Sequence, residues 1–411
     1  MPGPLSHLTV LDLSRVLAGP WCTQLLADVG ADVIKIEKPG SGDDTRSWGP
    51  PFLQDAHGHD TGEAAYYLAC NRGKKSVAVD FTKPEGQGIV RDLAKQADIV
   101  VENYKVGSLA KYQLDYASLS AVNARLVYCS ITGFGQTGPY ADRAGYDFII
   151  QGMGGFMSVT GERDDLPGGG PQKAGIAISD LMTGMYASVA ILAAIAHRDV
   201  SGVGQYIDTS LLDTQVAMMA VMNMNYLISG RPPGRAGNAH QNIVPYEVFP
   251  CADGHIILAV GNDGQFARFC QVAGKPEWIT DPRLATNSER VKNRDAVVPL
   301  IAAVIRTRTQ CDWLDALEAV GVPCGPINRL DQVFADPQVL ARGMKVDLPH
   351  PLSGSVPQVA NPLKFSATPV RYSQAPPLLG QHTAAVLGQR LGLSATKLHE
   401  LAARGVVQLT T

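Results

Sequence analysis

Charge is scarce in this chain. Only 18% of its residues are Asp, Glu, Lys or Arg, below the usual quarter. The signs nearly cancel, 35 basic against 38 acidic, for a net charge of -3. That balance gives no electrostatic reason to expect nucleic acid or a membrane as partner. So little charge predicts that much of the surface is covered by another subunit. Paired cysteines are missing too. The seven cysteines (Cys22, Cys70, Cys129, Cys251, Cys270, Cys311, Cys324) are odd in number and form no CxxC, which argues against a disulfide framework and a zinc site and fits a reducing cytoplasm. No uninterrupted apolar run reaches spanning length, and the opening MPGPLSHLTVLDLS has neither a basic n-region nor a long apolar core, so a soluble, cytoplasmic protein is expected. There is no internal repeat, no low-complexity tract and no Gly-x-Ser-x-Gly elbow for a hydrolase.

What is present is alternation of strand and helix. The runs Leu8 to Leu13 and Val33 to Glu37 read as strands around a helix from Trp21 to Val29. The pattern returns with strands Ser76 to Phe81, Asp98 to Glu102 and Leu126 to Thr132, and a helix Pro84 to Ala97 opened by proline. This is the mark of a parallel sheet flanked by helices. Between them, residues 39–73 are expected to form a long ordered loop, and Gly204 to Ser210 a last strand before a long buried helix from Leu211 to Ile228. Composition shifts near Ser229 and Gly321 suggest a large domain over 1–228, a small α+β domain over 229–326, and a tail with helices over 327–411. Ligands of such sheets bind beyond the carboxyl ends of the strands, here near Arg15 to Leu17, Lys38, Asn103 to Tyr104 and Thr132 to Gly135.

The stretch PQKAGIAISDLMTG leads one acidic side chain, Asp180, into an apolar helix expected over Leu181 to Ile195 and buried nearly all round. Asp before such a run is an N-cap signature. A carboxylate there is held ionised by helix N–H groups while apolar neighbours strip its water, so a cap and a nucleophile can be one residue.

Other constellations carry less. GFGQTG at Gly133 to Gly138 matches a dinucleotide pattern, but Pro139 and a polar stretch follow where a helix should begin. No NAD is therefore expected, and a glycine turn permitting close approach is the better reading. His57, His59, Asp55 and Asp60 form no fixed ligand geometry in a glycine-rich loop, so no metal is expected. Arg72, Lys74 and Lys75 are either a solvated turn or a site for a polyanionic cofactor. Asp12 and Asp208 read as buried structural carboxylates.

Several motifs, in order and over nearly the whole length, resemble the class III (CaiB/BaiF-type) CoA-transferase family: LDLSRVLAGPWCTQLLADVGADVIKIEKPGSGDDTR, NRGKKSVAVDF, VENYKVGSLAKY, SITGFGQTGPYADRAGYD, SDLMTG and PPLLGQHT. The resemblance implies a Rossmann-like large domain, a smaller domain, and a homodimer of interlocked chains. It implies that Asp180 is the catalytic aspartate, forming a covalent aspartyl-CoA thioester, with CoA as co-substrate and no metal. Coenzyme contacts carry over to Val16, Lys38, Asn103, Tyr104 and Lys111, and the adjoining Arg72, Lys75, Gly133 and Phe134 are added as candidates. Lys38 and Lys111 stand where the formyl-CoA branch has arginine, which keeps the charge but loses the planar fork. That branch's glycine-rich run has no counterpart in GNAHQNIVPYEVF.

The racemase branch resembles this chain as well, but it has AGHD where Tyr146 stands in AGYD, and a phenol with a pKa near 10 abstracts protons poorly at neutral pH. A racemase therefore ranks below a transferase, as do a formyl-CoA or carnitine type enzyme and a catalytically silent scaffold. The stretch Gly237 to Phe249, with VGNDGQFARFC and GVPCGPINRLDQVF, is most similar to succinyl-CoA:glutarate and other dicarboxylate transferases. A dicarboxylate leaves one free carboxylate needing a cation or donors, for which Arg15, Arg46, Tyr146 and His240 are the candidates.

Overall fold

The computed structural model describes residues 2–410. Seven strands form one sheet in the order Val407–Gln408, Lys74–Val79, Asp32–Glu37, Thr9–Asp12, Ile99–Glu102, Val127–Thr132, Tyr206–Ser210. All neighbours pair parallel except Val407–Gln408, which runs antiparallel along Lys74–Val79. In chain order the six parallel strands lie 3-2-1-4-5-6, the doubly wound order of Rossmann-like folds. The crevice beyond the carboxyl ends of Thr9–Asp12 and Ile99–Glu102 is then the topological switch point, where such sheets bind ligands.

The strands read as near-continuous apolar runs because both faces are covered. Leu11, Leu13, Ile34 and Ile36 enter one core with Leu93, Leu387 and Leu398 from the helices Pro84–Ala94, Thr383–Leu391 and Ala395–Ala403. Val10, Val33, Ile99 and Val101 enter the other, with Leu26, Ala187 and Ile191 from the helices Ala18–Asp28 and Ile178–Ser201. Those two helices touch where Gly184 lacks a side chain, since a Cβ there would lie 2.6 Å from the Ala18 carbonyl oxygen.

Several expectations need correction. The helix Ile178–Ser201 is 24 residues long and ends at Gly202 in the left-handed region. By length and composition it would suffice to cross a membrane, yet here one face packs into the sheet core. It is not buried all round, because Met185, Tyr186, Val189 and Leu192 are exposed. The helix expected from Leu211 to Ile228 is two, Leu211–Met218 and Ala220–Ser229, broken where Ala220 takes a positive φ of 40°, and Met224, Leu227 and Ile228 are exposed. Asp208 is exposed on the edge strand, where it accepts the Gln136 N–H at 3.0 Å. The loop over 39–73 contains a hairpin, Phe52–Gln54 with Asp60–Ala64, and short helical turns.

The larger compact unit comprises the chain up to Phe156, Ala174–Met224 and everything from Leu340. The smaller comprises Met157–Lys173 and Asn225–Val339, whereas the sequence alone places 157–173 in the large domain. That segment is recruited by contacts distant in sequence: Gly161 O accepts the Gly237 N–H at 3.0 Å and Glu162 O accepts Arg235 Nε at 3.2 Å. A three-stranded antiparallel sheet, Cys324–Gly325, His255–Ala259 and Tyr246–Pro250, packs there on a core around Trp313, Phe266 and Phe269.

Candidate active site

A cleft of about 470 Å³ opens at the switch point, lined by Arg15, Val16, Leu17, Asn103, Tyr104, Gly133, Tyr146 and Asp180 among others. Arg15, Asp44 and Tyr104 also line a second cavity of about 410 Å³ with Lys38, Lys111, Phe81 and Tyr112. The two share a wall and follow the edge of the sheet.

The loop after the first strand is built from buried charge. Lys35 is fully buried, donating to Ser14 O at 2.8 Å and pairing with Asp43 at 2.9 Å. Asp43 accepts the N–H groups of Val16 at 3.2 Å and Thr45 at 3.0 Å. Burial alone would raise the Asp43 carboxyl, but Lys35 and the Thr45 donors bring it down to about 2. Behind them Asp12 pairs with Lys74 at 3.1 Å and accepts Ser14 N–H at 2.9 Å and Thr23 Oγ1 at 2.6 Å.

Asp180 sits differently from expectation. The helix begins at Ile178, so Asp180 lies in its first turn and the cap position falls to Ala177, with no side-chain cap bond. Asp147 does that work from the neighbouring helix Asp147–Met153, accepting Ser179 N–H at 2.7 Å and Asp180 N–H at 3.3 Å. Asp180 therefore does not spend its carboxylate on the backbone. Burial, and next the charge of Asp147, push its pKa up to about 7. Tyr66, raised to about 12 by burial and then by Asp180, stands nearby with Trp48 edge-on at 5.2 Å. Trp48, Tyr66, Asp147 and Arg143 were not singled out by sequence. The long functional loop was the available signal for the first two.

Other predicted residues are elsewhere or otherwise employed. Arg46 is buried and saturated: Nε and Nη2 hold Glu37, each at 2.8 Å, Nη1 holds Glu63 at 3.1 Å, and Nη2 also reaches Tyr67 Oη at 2.6 Å and Pro377 O at 3.0 Å. It has no fork left for a substrate. The three cations at 72–75 are each paired with an acid and lie away from the cleft. Arg72 clasps Asp28 at 2.8 and 2.6 Å, Lys74 is buried on Asp12, and Lys75 pairs with Asp32 at 2.7 Å. Arg72 and Lys75 face a separate cavity with Arg371, because residues 72–75 lie at the amino end of the strands. Phe134 turns into the core, edge-on to Tyr140, while Gly133 lines the cleft. A Cβ on Gly133 would come 2.6 Å from Gly145 Cα, which is the close approach that the glycine turn provides. His240 belongs to the smaller unit, where its Nδ1 accepts the Asn242 N–H at 3.0 Å. Asp55 accepts the N–H groups of His57 and His59 at 2.8 and 2.9 Å.

The uncapped start of Ala18–Asp28 brings Leu17 and Ala18 to the cleft wall. The first N–H groups of a helix lack intrahelical partners, so this edge suits an oxyanion. A desolvated carboxylate lining the same cleft as such donors is equipped for acyl transfer.

A family model described as CoA-transferase family III matches residues 5–383. A succinate--glutarate CoA-transferase of Agrobacterium fabrum is 55% identical over 386 residues, covering 94% of this chain and 95% of that one. A succinyl-CoA:glutarate CoA-transferase of Homo sapiens is 41% identical over 404 residues, covering 98% and 90%. The crystal structure of a CAIB/BAIF family protein from Brucella suis superposes with a TM-score of 0.83 at 49% identity, covering 95% of this chain and all of that one.

Proposed function

Because the chain belongs to CoA-transferase family III, we propose that it moves CoA from succinyl-CoA to glutarate through a covalent intermediate on Asp180. The observation that carries this reading is a carboxylate with no paired cation among the described residues, lifted to about 7 by burial and Asp147, in a cleft beside an uncapped helix start. The relatives' names supply the donor and acceptor.

The Asp180 carboxylate attacks the thioester carbonyl of succinyl-CoA, the carbon–sulfur bond breaks, and a succinyl-aspartyl anhydride and CoA thiolate result. The thiolate attacks the aspartyl carbonyl, forming an aspartyl-CoA thioester and releasing succinate. A glutarate carboxylate then attacks that thioester and expels the thiolate. Attack of the thiolate on the glutaryl carbonyl of the new anhydride yields glutaryl-CoA and restores Asp180. One thioester replaces another, so the exchange is nearly thermoneutral. Each tetrahedral oxyanion forms where Leu17 and Ala18 N–H groups can receive it.

The second cavity suits the nucleotide end of CoA. It offers Lys38 and Lys111 for phosphates, Phe81 and Tyr112 as ring surfaces, and Ser108 Oγ, which is buried without a hydrogen-bond partner among the described residues. For the free carboxylate of glutarate, Arg143 replaces Arg46. Arg143 lines the cleft, stacks on Tyr140 and Phe134 at 4.5 and 5.2 Å, and enters no ion pair among the described residues. We also read the exposed Met185, Tyr186, Val189, Phe148 and Ile149 as the interface of an interlocked homodimer, and the seven free thiols as fitting the cytoplasm.

The test is mass spectrometry of the protein after incubation with succinyl-CoA. A CoA-sized adduct on the peptide carrying Asp180, absent from Asp180→Asn and discharged by glutarate, is the expected result. Deuterium exchange at an α-carbon without an adduct would overturn the reading.

A further inference from the structure

Val16 has a φ of +69°. A β-branched residue is a genuine outlier there, and such conformations persist only where the surroundings over-determine them. At Val16 they do. Asn103 presents both ends of its amide to the preceding residue: Oδ1 accepts Arg15 N–H at 2.8 Å and Nδ2 donates to Arg15 O at 2.6 Å. The carbonyl before that is held by Lys35 at 2.8 Å, and the N–H of Val16 by Asp43 at 3.2 Å. Asn103 itself is fixed at the end of Ile99–Glu102, where Glu102 takes the next N–H, that of Tyr104, at 2.8 Å.

We propose that Asn103 is a positioning residue that clamps the turn at Arg15 and Val16 in its left-handed form, and thereby sets Arg15 and the helix start at Leu17 and Ala18 against Asp180. Both ends of its amide hold the backbone of Arg15, so it acts on the reaction through that turn, where a direct coenzyme ligand would act by contact. Lys35 and Asp43 are charged and buried, and each holds a single main-chain group of this turn. Asn103 grips one residue at both its N–H and its C=O. Released from that grip, Val16 relaxes to a negative φ, the peptide plane between Arg15 and Val16 turns, and the cleft wall on that side moves. The inference rests on the transferase reading for its effect on rate, and on the backbone alone for its effect on shape.

The experiment is a cycle of Asn103→Ala and Val16→Gly, with kcat, KM for each substrate, and crystal structures of the variants. Glycine enters positive φ without the Cβ penalty. Loss of Asn103 is therefore expected to lower kcat at least about fivefold less when residue 16 is already Gly than when it is Val, in keeping with the cost of a left-handed residue. In the Asn103→Ala structure Val16 is expected at negative φ. Equal losses in both backgrounds, with only the KM for succinyl-CoA raised, would make Asn103 a coenzyme ligand and overturn the proposal, as would a Val16 that keeps its positive φ without Asn103. Should the wild-type protein transfer no CoA, the transferase reading fails, and the φ of residue 16 still decides this one.

Discussion

Asp147 accepts the main-chain N–H of Asp180 at 3.3 Å while its charge adds to burial in pushing the Asp180 carboxyl up to about 7. One carboxylate thus caps the helix and makes its neighbour a stronger base. On the proposed mechanism Asp180 must be ionised to attack, so kcat is expected to rise with pH through about 7 and level off above it. Asp147→Asn removes the like charge and keeps an acceptor for Ser179, so the rise should move to lower pH. A pH–rate profile of both proteins checks this. An unmoved acid limb would show that Asp147 serves structure only.

A carboxyl whose folded pKa lies above its unfolded value loses stability as pH rises through the interval between them, here from 3.8 to about 7. Asp180→Asn is therefore expected to abolish transfer while stabilising the protein by about 2 kcal/mol at pH 8, after allowance for partial exposure. Denaturant midpoints should show the gain shrinking toward pH 4.

Arg46 and Arg143 separate structure from substrate. Arg46→Ala strands Glu37 in the core and is expected to cost about 3–5 kcal/mol of stability, with KM for glutarate little changed. Arg143→Ala is expected to raise that KM about tenfold or more, the worth of a charged hydrogen bond, with stability nearly intact. Kinetics with glutarate and butyrate check the second, since butyrate has no second carboxylate for Arg143 to hold.

The depressed carboxyls respond to pH in the opposite sense. Burial opposes it, but Lys35 and Thr45 hold Asp43 down at about 2, so its stabilising share is complete above its ordinary value and is lost as pH falls through about 2. That share is about 2 kcal/mol. Unfolding midpoints at pH 5 and pH 2.5 should differ by more in the wild type than in Asp43→Asn.

Gly133→Ala puts a methyl group against the backbone of Gly145, where the room ends at 2.6 Å. Overpacking of this kind costs about 1–3 kcal/mol. Activity should fall along with the melting temperature, because Gly133 lines the cleft.

The sheet was legible because local rules and the fold agree. Strands buried on both faces spell continuous apolar runs, as Val77 to Val79 and Ile99 to Val101 do, and Asp180 stands at the front of an apolar helix. What was hidden depends on partners far apart in sequence. Nothing local distinguishes Arg46, held by Glu37 and Pro377 O, from Arg143, whose ring contacts leave its charge free of any ion pair among the described residues. Asp147 caps the helix through Ser179, 32 residues further along the chain, and a cap supplied from another element leaves no mark beside the helix it serves. The cations at 72–75 looked available because Asp28, Asp12 and Asp32 come to them only when the strands align.

The helix Ile178–Ser201 is also a measuring rod. Its far end is pinned where Arg198 grips Asp98 at 2.8 Å, at the amino edge of the sheet, and its near end delivers Asp180 to the opposite edge. The height and heading of the Asp180 carboxylate are thus fixed by a count of residues. One residue inserted or removed between Asp180 and Arg198 would shift the carboxylate by about 1.5 Å and swing it by about 100°, out of the cleft. Substitutions along the rod are free to vary with packing, but its length is not.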